Sequence, residues 1–249
     1  MAGHSHSANI ARRKGAVDAK RAKIFSKCAK AIMSAVRQGG ADPAANLKLR
    51  YAIEKARAEN MPKDNIERAI KRASGEGMGD LEELIYEGYA PGGIALMVTC
   101  LTDNRNRTAP DVKHMFEKRG GNLGAQGSVS FLFDFRSIFV VETGERSEDD
   151  MMEVALEAGA DDVEVDGDVA TIYAPATEFL SVKEALEAQD LSFLSAQTGY
   201  VPQTTVQVES KADAEKLFKL IELLENHDDV QDVYGNYEMP DEWIEELAG

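Results

Sequence analysis

Cysteine is almost absent from this chain: Cys28 and Cys100 are the only two in 249 residues. They fall in no CxxC or CxxH spacing, and each sits in an apolar pattern where a small hydrophobe would serve. Neither a zinc ribbon nor a redox pair is available, and both read as buried thiols. Histidine is nearly as scarce. His4, His6, His114 and His227 form no HxxxH or HExxH pair, and no serine lies in a GxSxG turn, so neither a zinc hydrolase nor a serine nucleophile with its base is assembled. No stretch approaches the roughly 18 apolar residues of a membrane span, and the opening MAGHSHSANIARRKG lacks the apolar core of a secretory signal. A cytoplasmic protein with no membrane association is expected. The glycine-rich run GGNLGAQGS has no Walker lysine and lies between a helix and a strand, in the reverse order from a dinucleotide loop, so turn chemistry accounts for it.

Basic residues are in short supply after position 80. Residues 1–80 hold 17 Lys and Arg against 8 Asp and Glu, whereas 81–249 hold 11 against 36, so a segment at +9 is followed by a body at −25. A cationic segment draws polyanions by releasing their condensed counterions, and an anionic body repels them. Contact with DNA or RNA is therefore expected in the N-terminal part alone. The alternative is that the asymmetry serves only solubility. An apolar content of 43% over this length is enough for one large or two to three small packed domains.

Periodicity divides the chain further. From Lys20 to Gln38, Ile24, Cys28 and Ile32 recur at four-residue spacing, which predicts a helix ended by Gly39-Gly40. Asp42-Pro43 offers a cap and first-turn proline for a second helix reaching about Asn60. A third follows Pro62, with Lys63, Arg68, Lys71 and Arg72 outward, and SGEGMGD reads as a linker. The period then becomes two: YEGYA, a Pro91-Gly92-Gly93 turn and IALMVTCLT predict a hairpin. Thr108 and Asp111 resemble a capping box for a helix ending at Gly120-Gly121, and SVSFLFD predicts a strand. FRSIFVVE, DDMMEVALEAG, VEVDGDVATIYA, a helix near Ser181 to Gln189 and TTVQV follow in the βαββαβ order of a ferredoxin-like domain, with Asp166-Gly167 as a hairpin signal. One more helix and strand, over 211–238, have no partners of their own, and are expected to return to the first sheet, making the ferredoxin-like block an insertion. A separate C-terminal unit is the alternative. The reading is an α+β protein: a basic helical domain over 1–78, an α/β domain over 79–134 with 208–249, and an inserted ferredoxin-like α/β domain over 135–207.

Two basic clusters are candidate nucleic-acid contacts. Arg12, Arg13, Lys14, Lys20, Arg21, Lys23, Lys27 and Lys30 form a dense run, with Lys23, Lys27 and Lys30 on one helix face, and only Asp18 interrupts it before Asp42. Guanidinium forks and ammonium groups bind phosphate oxygens with little regard to sequence. In DNRNRT, Arg105 and Arg107 lie between a strand and a helix N-terminus, where amides also favour anions, although they could equally pair with nearby carboxylates. The acidic cluster Asp161, Asp162, Glu164, Asp166 and Asp168 alternates with valines, as the wet face of a half-buried strand does, and fits no calcium-loop pattern. No metal site, cofactor or catalytic group is assigned.

The segments MAGHS, ANI, RKG, DAKR and KIF of the opening, then NMPKDNIERAIKR, YEGYAPGGIA, LTDNRNRT and GGNLGAQGSVSFLF, closely resemble the YebC/PmpR family of bacterial regulators, and the resemblance spans the chain. It implies a helical N-terminal domain followed by two α/β domains, and a DNA-binding, transcription-regulating function. Some members, including a mitochondrial translational activator of cytochrome oxidase, act instead on ribosomes. The family's basic segment corresponds here to Arg12 through Lys27, and its DNRNR loop to Asp103 through Arg107. Where many members read Lys-Trp, this chain has His6-Ser7, without the cation or the aromatic that could stack on a base. The family motif begins at Met1, which favours a bacterial cytoplasmic protein. The expected function is a non-enzymatic regulator binding DNA, with a ribosomal-RNA-binding translation factor as the alternative and a metal-dependent enzyme as a weaker one. The acidic body is a candidate surface for a protein partner.

Overall fold

In a computed structural model, which describes residues 18–73 and 81–248, the four-residue recurrence of Ile24, Cys28 and Ile32 becomes the inner stripe of helix α1 (Asp18–Gly39). It packs on α2 (Leu47–Ala58) and α3 (Lys63–Ala73) around Ile32, Ala35, Leu49 and Ala56, all fully buried. The second helix begins a turn later than Asp42-Pro43 predicts. Asp42 caps only a short turn at Ala44 (2.9 Å), and the helix cap is Asn46, whose side chain accepts from Leu49 N–H at 3.0 Å. Buried Asn46 also donates from Nδ2 to the carbonyls of Ala35 and Gly40 at 2.8 Å each, so one carboxamide starts α2 and finishes α1. Gly39 presses against it so closely that a Cβ would come within 2.7 Å. The expected linker SGEGMGD lies outside the described residues.

Strands β1 (Glu82–Ala90) and β2 (Ile94–Thr102) form the predicted hairpin around Pro91–Gly93, where Gly92 and Gly93 take φ of 83° and 75°. Helix α4 (Arg105–Lys118) follows, then a two-residue strand β3 (Asn122–Leu123) beside β1. The expected strand SVSFLFD is not one: Ser130–Leu132 is a 3-10 turn, and Phe133 opens a single long strand, β4 (Phe133–Glu142), that absorbs FRSIFVVE. The reason lies forty residues back. Buried Glu87 on β1 accepts from the amides of Gly127 and Val129 at 2.7 Å and of Ser130 at 2.8 Å, which removes them from any ladder. The sheet is completed from the C-terminal part. Helix α7 (Lys211–Glu225) leads to β9 (Val230–Gly235), antiparallel to β2, giving the order β3-β1-β2-β9.

The intervening sequence forms a second four-stranded sheet, from β4, α5 (Glu148–Glu157), β5 (Asp162–Asp166), β6 (Val169–Pro175), α6 (Phe179–Glu187) and β7 (Phe193–Pro202). Its order, β5-β6-β4-β7 with β4 and β5 both antiparallel to β6, is ferredoxin-like. The β5–β6 turn pivots on Gly167 and Asp168, one residue beyond the Asp166-Gly167 pair, with Gly167 at φ 60°. The closing strand is β7. TTVQV instead contains β8 (Val206–Gln207), paired in parallel with β10 (Tyr237–Glu238), and a short helix α8 (Asp241–Ala248) ends the described chain. β7 escaped the pattern because Ser195, Gln197 and Thr198 interrupt its apolar alternation.

These elements form two compact units: Val17–Leu132 with Pro202–Met239, and Phe133–Val201 with the C-terminal helix. The helical bundle thus shares a unit with the first sheet. Among the described residues no helix is long and apolar enough to cross a membrane.

Candidate nucleic-acid interface

The basic face of α1 is turned toward the carbonyl end of α7. Lys23 donates to the carbonyl of Asn226, Lys27 to that of Glu225 at 2.8 Å, and Lys30 to that of Asp228 at 2.9 Å. Helix α7 has no basic residue in its own last turn, so the carbonyls of its last residue and its cap, at the negative end of its dipole, are met by Lys27 and Lys23 from about 200 residues away, while Lys30 holds the loop that follows. Burial lowers the Lys27 pKa below its ordinary value, with Asp232 and Glu225 opposing that effect.

Asp229, in the loop after α7, is the centre of this contact. Its side chain is only 3% exposed. One oxygen accepts from Lys30 Nζ at 2.8 Å; the other accepts from Arg107 Nη2 at 2.7 Å and from the Thr108 and Thr102 hydroxyls at 2.9 and 3.2 Å. Burial alone would push this carboxyl up, but the bonds from Lys30, Arg107 and Thr108 outweigh it and hold the group well below the usual carboxylate range. The two basic clusters, over seventy residues apart in sequence, therefore meet on one carboxylate. Beside it, His227 accepts the Asp229 amide at Nδ1 (3.2 Å) and faces Asp111 through Nε2 (3.4 Å).

Arg105 and Arg107 lie inside the first turn of α4 and not in a loop before it. The cap is Asn104, which accepts from Arg107 N–H at 3.2 Å. Thr108 does not cap with Asp111; its hydroxyl is drawn inward to Thr102 at 2.8 Å and to Asp229. Cations in a first turn oppose the helix dipole, which Asp103 and Asp229 offset for Arg107, and Glu82 at 3.5 Å for Arg105. Arg21 is exposed at the start of α1. Arg12, Arg13 and Lys14, and the side chain of Lys20, lie outside the described residues.

A cleft of ≈ 920 Å³ opens between α1, the first turn of α4 and residues 226–229, lined by Lys23, Lys30, Arg72, Arg107 and His227 together with four aspartates. Along α2 and α3, Lys48, Arg50, Arg57, Lys63, Arg68, Lys71 and Arg72 are exposed. Lys71 and Arg72 make no ion pair among the described residues.

Residues 5–76 match the family description "TACO1/YebC protein N-terminal domain", and residues 81–237 match "TACO1/YebC second and third domain". The chain belongs to the TACO1/YebC family. A TACO1/YebC relative from Halothermothrix orenii, named "Probable transcriptional regulatory protein", is 49% identical over 251 residues, covering 100% of this chain and 99% of that one. One of the same name from Aquifex aeolicus is 48% identical over 249 residues, covering both chains fully. The crystal structure of a conserved hypothetical protein, Aq1575 from Aquifex aeolicus, superposes with a TM-score of 0.80 at 48% identity, over 90% of this chain and 93% of that one.

Two further features of this TACO1/YebC chain, Asp229 and the Lys55 pair, escaped the sequence, whereas the burial of Cys100 was expected. Asp229 looks like any acidic residue of ENHDDV, and nothing local marks it as the acceptor for two basic clusters. Lys55 reaches both carboxylate oxygens of Asp232 at 2.7 Å; burial would lower its pKa, but Asp232 outweighs that and raises it. Cys100 is buried, and its thiol is pushed up to about 12, first by burial and then by Asp229. The acidic strand β5 keeps Asp162 and Glu164 exposed between half-buried valines. Among the described residues no three His, Cys, Asp or Glu are grouped to hold a metal.

Proposed function

We propose that this chain is a non-catalytic, nucleic-acid-binding regulator of gene expression, acting in the cytoplasm and gripping the phosphodiester backbone through its basic N-terminal segment and helical bundle. The proposal rests on the division of charge, +9 over residues 1–80 against −25 over the remainder. Duplex DNA is the first target, because full-length relatives at 47–49% identity are named probable transcriptional regulatory proteins. The acidic body is assigned a basic protein partner by charge complementarity.

A second reading, RNA on the ribosome, is favoured by the chemistry of α2 and α3. Their sequences contain no Ser, Thr or Gln, and their single carboxamide, Asn65, accepts a hydrogen bond from Arg68. A helix that reads base edges presents such polar groups, whereas this face offers cations suited to phosphates.

Sedimentation with ribosomes and their subunits at physiological salt, alongside gel-shift titration with promoter-bearing and scrambled duplexes, separates the two. Lys71→Glu with Arg72→Glu removes exposed cations and is expected to weaken whichever interaction is found. Co-sedimentation that resists competing duplex supports the RNA reading, and sequence-dependent duplex binding supports the DNA reading. Absence of both sinks the nucleic-acid function.

A further inference from the structure

We propose that the cleft between α1, the first turn of α4 and residues 226–229 is a phosphodiester site whose cations are held by an internal anion, Asp229, which a nucleic-acid phosphate displaces. This deepens the nucleic-acid reading above and rests on it.

An anion is already seated there. An ammonium, a guanidinium and two hydroxyls converge on the two oxygens of one carboxylate: Lys30 on one, Arg107, Thr108 and Thr102 on the other. A phosphodiester also presents two unbridged oxygens carrying one shared negative charge, so the donors that satisfy Asp229 are those a phosphate requires. Access runs the right way. Arg107 is 49% exposed and Lys30 24%, while Asp229, which also lines the cleft, is 3% exposed, so an anion entering from solvent finds both cations more accessible than the carboxylate they hold. Lys23 and Arg72 line the approach, and Asp228, 84% exposed, stands 3.8 Å from Lys23 as a second internal anion. Residues 226–229 are tied to α1 largely through lysine contacts with their carbonyls and with Asp229. Exchange of one anion for another conserves the count of charge-assisted bonds and loosens the loop from α1, while Leu101 N–H keeps the Asp229 carbonyl bound to β2 at 2.8 Å. The internal anion therefore sets a threshold: a strand with closely spaced phosphates displaces it, whereas scattered small anions do not.

Fluorescence anisotropy of the full chain with a labelled mixed-sequence DNA duplex and, separately, a labelled RNA strand tests this at two salt concentrations. Asp229→Asn keeps the shape and an acceptor oxygen while deleting the charge, and is expected to tighten binding roughly tenfold, a typical size for one coupling. Asp228→Asn, on the surface, is expected to tighten it by a smaller factor. Asp162→Asn removes the same charge from the other unit and should leave affinity nearly unchanged. Hydrogen exchange on the unaltered protein is expected to speed up at residues 226–230 when either probe binds. If Asp229→Asn does not fold, Asp228→Asn and the exchange measurement carry the test. Equal affinities for all variants with unchanged exchange, while binding persists, overturn the site and leave the nucleic-acid function standing, as does an equal gain from Asp162→Asn. No binding of either probe by any variant removes both. The probe that binds identifies which nucleic acid supplies the phosphate.

Discussion

The helical bundle and the ferredoxin-like unit carry opposite charge and use it differently. Residues 18–73 hold 14 Lys and Arg against 6 Asp and Glu; residues 133–201 hold 3 against 17. In the bundle, much of the excess is committed within its own compact unit. Lys23 and Lys27 finish α7, Lys30 holds the loop after it, Lys55 holds Asp232 and Lys48 holds Glu83. In the ferredoxin-like unit, three cations cannot neutralise seventeen carboxylates, whatever their arrangement. Arg136 serves Asp161 and Lys183 serves Glu187, and the net charge is left to act at long range. The contrast teaches that a one-signed helix face can be adhesive as well as receptive, and that counting charges does not separate the two.

The sharpest way to break the contrast is Asp229→Ala, which takes from Lys30 and Arg107 the carboxylate they share and removes the acceptor beside Thr102 and Thr108. It is expected to destabilise the fold by about 3 kcal/mol in urea titrations, as the loss of one partner from a buried pair does. Next comes Glu87→Gln, which keeps one acceptor oxygen for three amides and is expected to cost about 2 kcal/mol by the same measurement. Both carboxyls lie below their ordinary range when folded, so their stabilisation is fully present above about pH 5 and is lost as pH falls through the depressed folded values. Acid titration of stability should accordingly be shallower in Asp229→Asn and in Glu87→Gln than in the unaltered chain. Lys48→Ala removes a half-exposed pair with Glu83 and is expected to shift stability by no more than about 0.5 kcal/mol, less at high salt. The smallest effect belongs to Asp162→Asn with Glu164→Gln on the exposed edge of β5, expected within about 0.5 kcal/mol of zero by thermal melting. A large loss there would mean that the ferredoxin-like unit also uses its charge adhesively.

Much of this architecture was legible in the sequence. The stripe of α1, the PGG hairpin and the βαββαβ order follow from periods of 3.6 and 2 and from turn residues, all of them local. The pairing of β9 with β2 was legible for another reason: a helix and strand without partners must join a sheet. What stayed hidden depends on distant groups. Ser128 to Phe133 has the composition of a strand, and only Glu87 makes part of it a turn. Thr108 and Asp111 have capping-box spacing, but Asp229 claims the threonine. Both basic clusters were visible, yet nothing in KIFSKCAK says that its lysines meet the end of a helix 200 residues on. Charge pattern locates cations, and tertiary packing decides what they face.

Where the chain leaves its first unit, it is already tied to the place where it returns. The amide of Gln203 donates to the carbonyl of Leu132 at 2.8 Å, so the outgoing and incoming segments are bonded to each other at the crossing, at the end of the turn that Glu87 pins. The ferredoxin-like block is thus a cassette hung from a closed loop, and its seventy residues place no length constraint on the sheet they interrupt. Such a junction lets the block lengthen, shrink or change its surface charge in descendants of one ancestral gene while the basic bundle and its buried aspartate hold their geometry.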